Sequence, residues 1–195
     1  APSITANAIN SADELWVAGT FTGQRVFRWI NNAPSGTAVK EYDTFHLSGA
    51  QNDAITMSTN VGNIMAIANK HNLAIWNDYS LSNLDIGIGC VSERGYVKSL
   101  GSLWFIHYSG IYATTGGIPK MVSAKVEKYI QGATKVGLEA SAAGKKGVSV
   151  FFTIGDVTLY HDDGSVNKIL TDVCLEYNIR QENWYVHTGV EASQF

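Results

Sequence analysis

Proline is scarce in this chain, with 3 in 195 residues, and so is charge, at 16%. A hydrophobic share of 45% beside that low charge excludes a disordered chain, which needs the opposite balance. Cysteine is nearly absent. Cys90 and Cys174 stand far apart, in no zinc-site spacing, and fit a reduced compartment better than a disulfide scaffold. An excess of basic residues is also missing: 14 Lys and Arg face 17 Asp and Glu, for a net charge of −3, with no run of either sign. Proteins held to DNA by phosphate contacts show a clear basic excess, so any meeting with DNA should guide it rather than grip it. No apolar run approaches the length of a membrane helix, which argues against a membrane partner. There is no Asn-x-Ser/Thr acceptor for glycosylation, and Ala1-Pro2-Ser3 does not open a signal peptide. The missing initiator methionine points to a processed, trimmed or partial sequence.

Glycine and aromatics are plentiful. The 19 glycines suit many tight turns, and 5 Trp, 9 Tyr and 7 Phe suit strands better than helices. One unit recurs, a short apolar strand, a small turn and a second apolar strand. Its copies are Leu15–Ala18 with Val26–Trp29, Ile64–Ile67 with Leu73–Trp76, Leu103–Ile106 with Ile111–Ala113, and Val150–Thr153 with Val157–Tyr160. The first residues of successive copies are 49, 39 and 47 positions apart. Repeats of roughly 40 to 50 residues are those of propeller blades, each a small antiparallel sheet. The first strand of each pair is almost continuously apolar, as expected of a strand covered on both faces and lying near a propeller axis. Short strands at regular spacing also occur in β-sandwiches, and that is the competing architecture.

Between the pairs, shorter strands are expected at Ile55–Ser58, Gly95–Lys98, Lys120–Val122, Cys174–Tyr177 and Trp184–Val186. His71-Asn72 and Ser109-Gly110 tolerate the positive φ of tight turns, and Asp163-Gly164 is a strong hairpin signal. One short helix is expected near 123–131, capped by Ser123, with Val126, Tyr129 and Ile130 on one face, ending near Gly132. Gly132–Gly147 reads as a loop or ragged helix. The expected fold is therefore all-β, a propeller-like array of four to five small sheets forming one domain over 1–195. A fifth unit would begin where the chain stops. Either Ile4–Ile9 closes the ring of sheets or the chain is part of a longer one, and the second reading is preferred.

Few residues carry chemistry. His161-Asp162-Asp163 is the best local cluster for calcium or zinc, but its Asp-Gly ending reads as a hairpin turn. Gly87-Ile88-Gly89 begins like a dinucleotide loop, yet Ser92 stands where the third glycine belongs and no helix pattern follows. Cys90 has no basic neighbour before Arg94 and reads as a small buried filler rather than a nucleophile. Paired carboxylates for glycoside hydrolysis would have to come from Asp13, Glu14, Asp53 and Asp156, and nothing selects a pair. Trp29 and Trp76 close the second strands of successive units, where solvent-facing rings would stack on sugars and inward-facing rings would be core. No catalytic residue, metal ligand or cofactor is assigned.

The order of motifs also carries a resemblance. Trp16-Val17-Ala18-Gly19-Thr20 before Arg25-Val26-Phe27, Asp53–Thr56, the pair Asn63–Ile67 and Asn72–Trp76, and Gly89–Arg94 follow one another. Gly101–Ile106, Ser109–Tyr112, Met121–Glu127 and Leu175–Asn178 with Trp184 come next. The series resembles the propeller proteins of phage tail hubs and nozzles, a family that includes packaged-DNA stabilisation proteins of short-tailed phages. Glu93-Arg94-Gly95-Tyr96 departs from it, since the family tends to have proline and serine around that arginine. The resemblance implies a non-enzymatic virion component that assembles as a ring with its own copies and other virion proteins. Such a ring would line or seal a DNA channel and hold DNA only loosely. The alternative is a carbohydrate-binding propeller module or a propeller glycoside hydrolase.

Overall fold

In the computed structural model, which describes residues 4–9, 15–19, 25–29, 42–46, 54–62, 64–76, 81–84 and 86–190, the chain is mostly β. The described strands form four small antiparallel sheets, each made of four consecutive strands laid side by side in chain order. Two compact units divide the chain, Ala1–Glu93 and Arg94–Phe195, with two sheets in each.

In the first unit, β1 (Ile4–Ile9), β2 (Leu15–Gly19), β3 (Arg25–Trp29) and β4 (Tyr42–His46) make the first sheet. The hairpin expected at Leu15 is present, with Leu15 opposite Trp29 and Val17 opposite Phe27. Ile4–Ile9 pairs with β2 and so belongs to this first sheet, not to the last one as ring closure would require. β5 (Met57–Val61), β6 (Ile64–Ala68), β7 (Leu73–Trp76) and β8 (Leu81–Asn83) make the second sheet, and its first strand β5 neighbours β1. Met65, Ala66, Ile67 and Ala68 are all fully buried, as their unbroken apolar run requires. His71 and Asn72, in the turn between β6 and β7, could tolerate positive φ. Neither residue adopts it. Instead the Asn69 side chain supplies the turn, its Oδ1 accepting from the His71 N–H at 2.9 Å and the Asn72 N–H at 2.7 Å.

In the second unit, β9 (Tyr96–Ser99), β10 (Ser102–His107), β11 (Gly110–Thr114) and β12 (Lys120–Met121) make the third sheet. The hairpin expected at Leu103 is present, with Phe105 opposite Tyr112, and its turn too runs without positive φ at Ser109 or Gly110. The fourth sheet is β13 (Ala143–Lys146), β14 (Ser149–Tyr160), β15 (Val166–Asn178) and β16 (Asn183–His187). Here the sequence expectation fails. Val150–Thr153 and Val157–Tyr160 are not two strands of a hairpin but parts of one 12-residue strand. Gly155, at φ +70°, absorbs a bulge in place of the turn, and the register against β15 shifts on both sides of it. The chain reverses at Asp163-Gly164 instead, with Gly164 at φ +82°.

The expected helix is present in part. A 3-10 turn at Ala124–Val126 runs into α1 (Glu127–Gly132), burying Val126 and Ile130 and leaving Tyr129 half-buried. Ser123 does not cap it. Its hydroxyl is fully buried and accepts from the Ile111 N–H at 2.9 Å, a bond to the edge of β11 rather than to the helix. Ser123→Ala is therefore expected to strand a buried backbone donor and lower stability by about 1–3 kcal/mol, read from urea unfolding. A cap lost from an exposed helix end would cost less. Gly132–Gly147, expected as a loop or ragged helix, contains a second short helix, α2 (Lys135–Glu139), and β13. Thr134 caps α2, its hydroxyl accepting from the Gly137 N–H at 3.0 Å.

In all four sheets the first strand of the expected hairpin lies second, flanked on both sides, so another strand holds the sheet's edge. Within the second unit the two sheets meet near their first strands. The Ala143 N–H donates to the Arg94 carbonyl at 2.8 Å, and Arg94 and Ala142 form a parallel bridge. Farther along the sheets the Trp104 and Tyr177 rings lie 5.4 Å apart, Tyr177 and Trp184 4.8 Å. The Trp184 indole N–H donates to the Val122 carbonyl at 2.9 Å, tying β16 to the end of β12.

Candidate functional site

The described candidates for chemistry are built into turns and packing. His161, Asp162 and Asp163 are exposed on the tip of the β14–β15 hairpin. Asp163 Oδ1 accepts from the Ser165 hydroxyl at 2.6 Å and the Ser165 N–H at 2.8 Å, which together hold its carboxyl below the usual range. Among the described residues no three His, Cys, Asp or Glu side chains gather as a metal site.

The glycine-cysteine connector is a docking segment. Cys90 donates its N–H to the Asn69 carbonyl at 2.9 Å, and its own carbonyl accepts from the buried Thr56 hydroxyl. Its thiol is fully buried and donates to the Ser92 carbonyl at 3.1 Å. Gly89 lets this backbone close on the β6–β7 turn, because a Cβ there would stand 2.0 Å from the Asn69 carbonyl oxygen. No helix follows Gly87 and Gly89, so no phosphate cradle forms there.

Of the four acids weighed for hydrolysis, Asp13, Glu14 and Asp53 lie outside the described residues. Asp156 is exposed beside the Gly155 bulge, where Oδ1 accepts from the Asp172 N–H at 3.1 Å. Trp76 is 3% exposed and belongs to the core, so it presents no ring to a sugar. Trp29 lies in β3, and its side chain is outside the described set. Cys174 is also buried. Burial, with a smaller push from the Glu176 carboxylate, raises its thiol from 9.0 to about 11 against a hydrogen bond from the Phe152 backbone. It should resist thiol reagents at neutral pH until the protein unfolds, as labelling rates with and without urea would show. The raised value means that this group's stabilising contribution is complete below pH 9 and is lost as pH rises from 9 towards 11. Thermal melts across that range check the sign.

Two surfaces of the second unit stand out among the described residues, neither marked by a chemical motif. One is an open groove of about 270 Å³ on the third sheet, lined by Ala113, Thr114, Ile118, Lys120 and Val122 among others. That is below the ~300–1,000 Å³ usual for small-molecule sites. The other is the outer half of the β14–β15 hairpin. β13 pairs only with Ser149–Phe152, and β16 only with Cys174–Asn178, so beyond an antiparallel bridge from Ala133 to Val157 the hairpin runs on as a two-stranded ribbon over Thr158–Ile169. Cross-strand partners share a face, and the pairs Thr158–Ile169 and Tyr160–Val166 leave large apolar side chains on the outside. Tyr160 is 60% exposed, Val166 56% and Ile169 62%. The opposite face is packed: Val157 is fully buried, and α1 comes so close that a Cβ on Gly132 would meet the Thr158 carbonyl at 2.3 Å. Sequence reading missed the ribbon because it closed the hairpin at Gly155. The signal available was the Asp-Gly turn with Tyr160 and Val166 on either side.

Charge differs along the second unit, and of its lysines Lys120 is the one in the groove lining. Arg94–Gly147 carries eight Lys or Arg against Glu127 and Glu139, whereas Gly155–Val173 carries Asp156, Asp162, Asp163 and Asp172 against Lys168. No helix among the described residues is long and apolar enough to cross a membrane. Neither the protein-family models nor the curated proteins compared with this chain give a match.

Proposed function

We propose that the four sheets are blades fanned about one axis and that the chain is a non-enzymatic structural component of a phage virion. In this reading it assembles with its own copies and other virion proteins into a ring that lines or seals the DNA channel of a tail hub, nozzle or head-to-tail connector. The observation that carries it is the recurrence of a four-strand unit with neighbouring first strands. β1 lies beside β5, and the parallel bridge at Arg94 and Ala142 leads into β9 and β13. Propeller blades are sheets of four consecutive strands arranged radially around a central channel. The motif order resembling tail hub proteins points the same way, and an overall net charge of −3 suits a wall past which DNA slides.

The test is assembly. Electron microscopy of the purified chain, at concentrations raised until it associates, is expected to show closed rings with a central opening. Release of reducing sugar from a polysaccharide panel, or a chain that stays monomeric throughout, would overturn the proposal.

A further inference from the structure

We infer that the tip of the β14–β15 ribbon of one copy docks into the third-sheet groove of a second copy, a head-to-tail contact between identical chains. The inference rests on the ring assembly proposed above and names the surfaces that would make it.

Both surfaces are open in the single chain. Tyr160 and Val166 stand exposed as a cross-strand pair beside the turn, while Ile118, on the groove wall, is 71% exposed. Apolar area of this kind, gathered on one ribbon face, marks a contact surface. A groove of about 270 Å³ takes a protruding side chain more readily than a whole cofactor. Tyrosine suits such a place, since its ring fills apolar space and its hydroxyl meets polar groups such as the exposed Thr115 side chain of the lining.

Charge fixes the orientation. The cation in the groove lining is Lys120, in a segment rich in lysine, and the ribbon tip carries Asp162 and Asp163 two and three residues beyond Tyr160. A tyrosine seated in the groove brings an acidic turn to Lys120, whereas two groove faces or two tips meeting would oppose like charges. The surfaces differ, so the contact is heterologous. Such contacts propagate from copy to copy and close into a ring when the rotation allows.

Sedimentation velocity of the full 195-residue chain over a range of concentrations tests this. Four variants are compared: Tyr160→Ser, Asp162→Lys, Lys120→Glu, and the last two combined. All three positions are exposed, and circular dichroism verifies that each variant is folded. The expected result is that Tyr160→Ser weakens self-association about thirtyfold and each charge reversal about tenfold. The combined variant is expected to regain most of the loss. Association unchanged in all three single variants overturns the ribbon–groove contact while leaving the ring reading in place. A combined variant no better than the single ones overturns the pairing of Asp162 with Lys120. A wild-type chain monomeric at every concentration overturns contact and ring together.

Discussion

Phe152→Ala is expected to lower stability by about 3–5 kcal/mol. Phe152 is fully buried in β14, with Ala143 of β13 opposite on one side and Leu175 of β15 on the other. It lies in the part of the sheet where all four strands are present, so no loop can collapse into the space left by the ring. The loss combines the hydrophobic transfer of the side chain with the cavity that remains. Urea unfolding should move to a lower midpoint with an unchanged slope, because the surface exposed on unfolding barely differs. A loss below about 1 kcal/mol would mean that β14 is not a core strand.

Gly89→Ala should be nearly as damaging, at about 3 kcal/mol, through overpacking rather than a cavity. The added methyl would sit 2.0 Å from the Asn69 carbonyl oxygen and 2.8 Å from both the N and O atoms of Asn72. All three are backbone atoms of a turn already fixed by the Asn69 side chain, so they cannot move aside as a flexible side chain would. The substitution is expected to lift the connector away and break the bond from the Cys90 N–H to Asn69. Gly87→Ala is a useful contrast. Nothing lies within 4 Å of its Cβ position, so only the strain of φ +68° opposes it, and its cost should be about 1–2 kcal/mol. Thermal melts of the two variants side by side would separate crowding from backbone strain. Equal losses would contradict the close approach assigned to Gly89.

The contrast between Gly89 and Gly155 marks how far the sequence could be read. Strands announced themselves where apolar runs met turn residues. The hairpins at Leu15, Ile64 and Leu103 stand as expected, and so does the reversal at Asp163-Gly164. Glycine was the ambiguous letter. Ile154-Gly155-Asp156 looks like a turn between two apolar stretches, yet Gly155 only bulges a strand that continues to Tyr160. Nothing local distinguishes a bulge from a turn. What decides is the length of β15, whose residues lie more than ten positions away and supply partners on both sides of the bulge.

Ser123 was misread for a related reason. A serine before an amphipathic run is a sound cap signal, but the pull of Ile111, an unpaired donor twelve residues back in sequence, is visible only once β11 is in place. The core was more legible than the surface. Trp76 and Cys90 are buried as their settings implied, since a bulky ring in a strand and a small thiol among glycines both pack well. The ribbon's turn was legible at Asp163-Gly164, but the exposure of its apolar face and the groove were not. Tyr160, Val166 and Ile118 have the composition of core residues, and only the place where neighbouring strands stop reveals them as surface.

The arrangement proposed above is radial, with successive four-stranded sheets sharing an axis lined by their first strands. An experimental density map of the chain at side-chain resolution tests it most directly. A propeller requires β1, β5, β9 and β13 gathered side by side around a single opening, with β4, β8, β12 and β16 at the rim. Sheets stacked face to face in two layers, with those first strands scattered to separate edges, would contradict it.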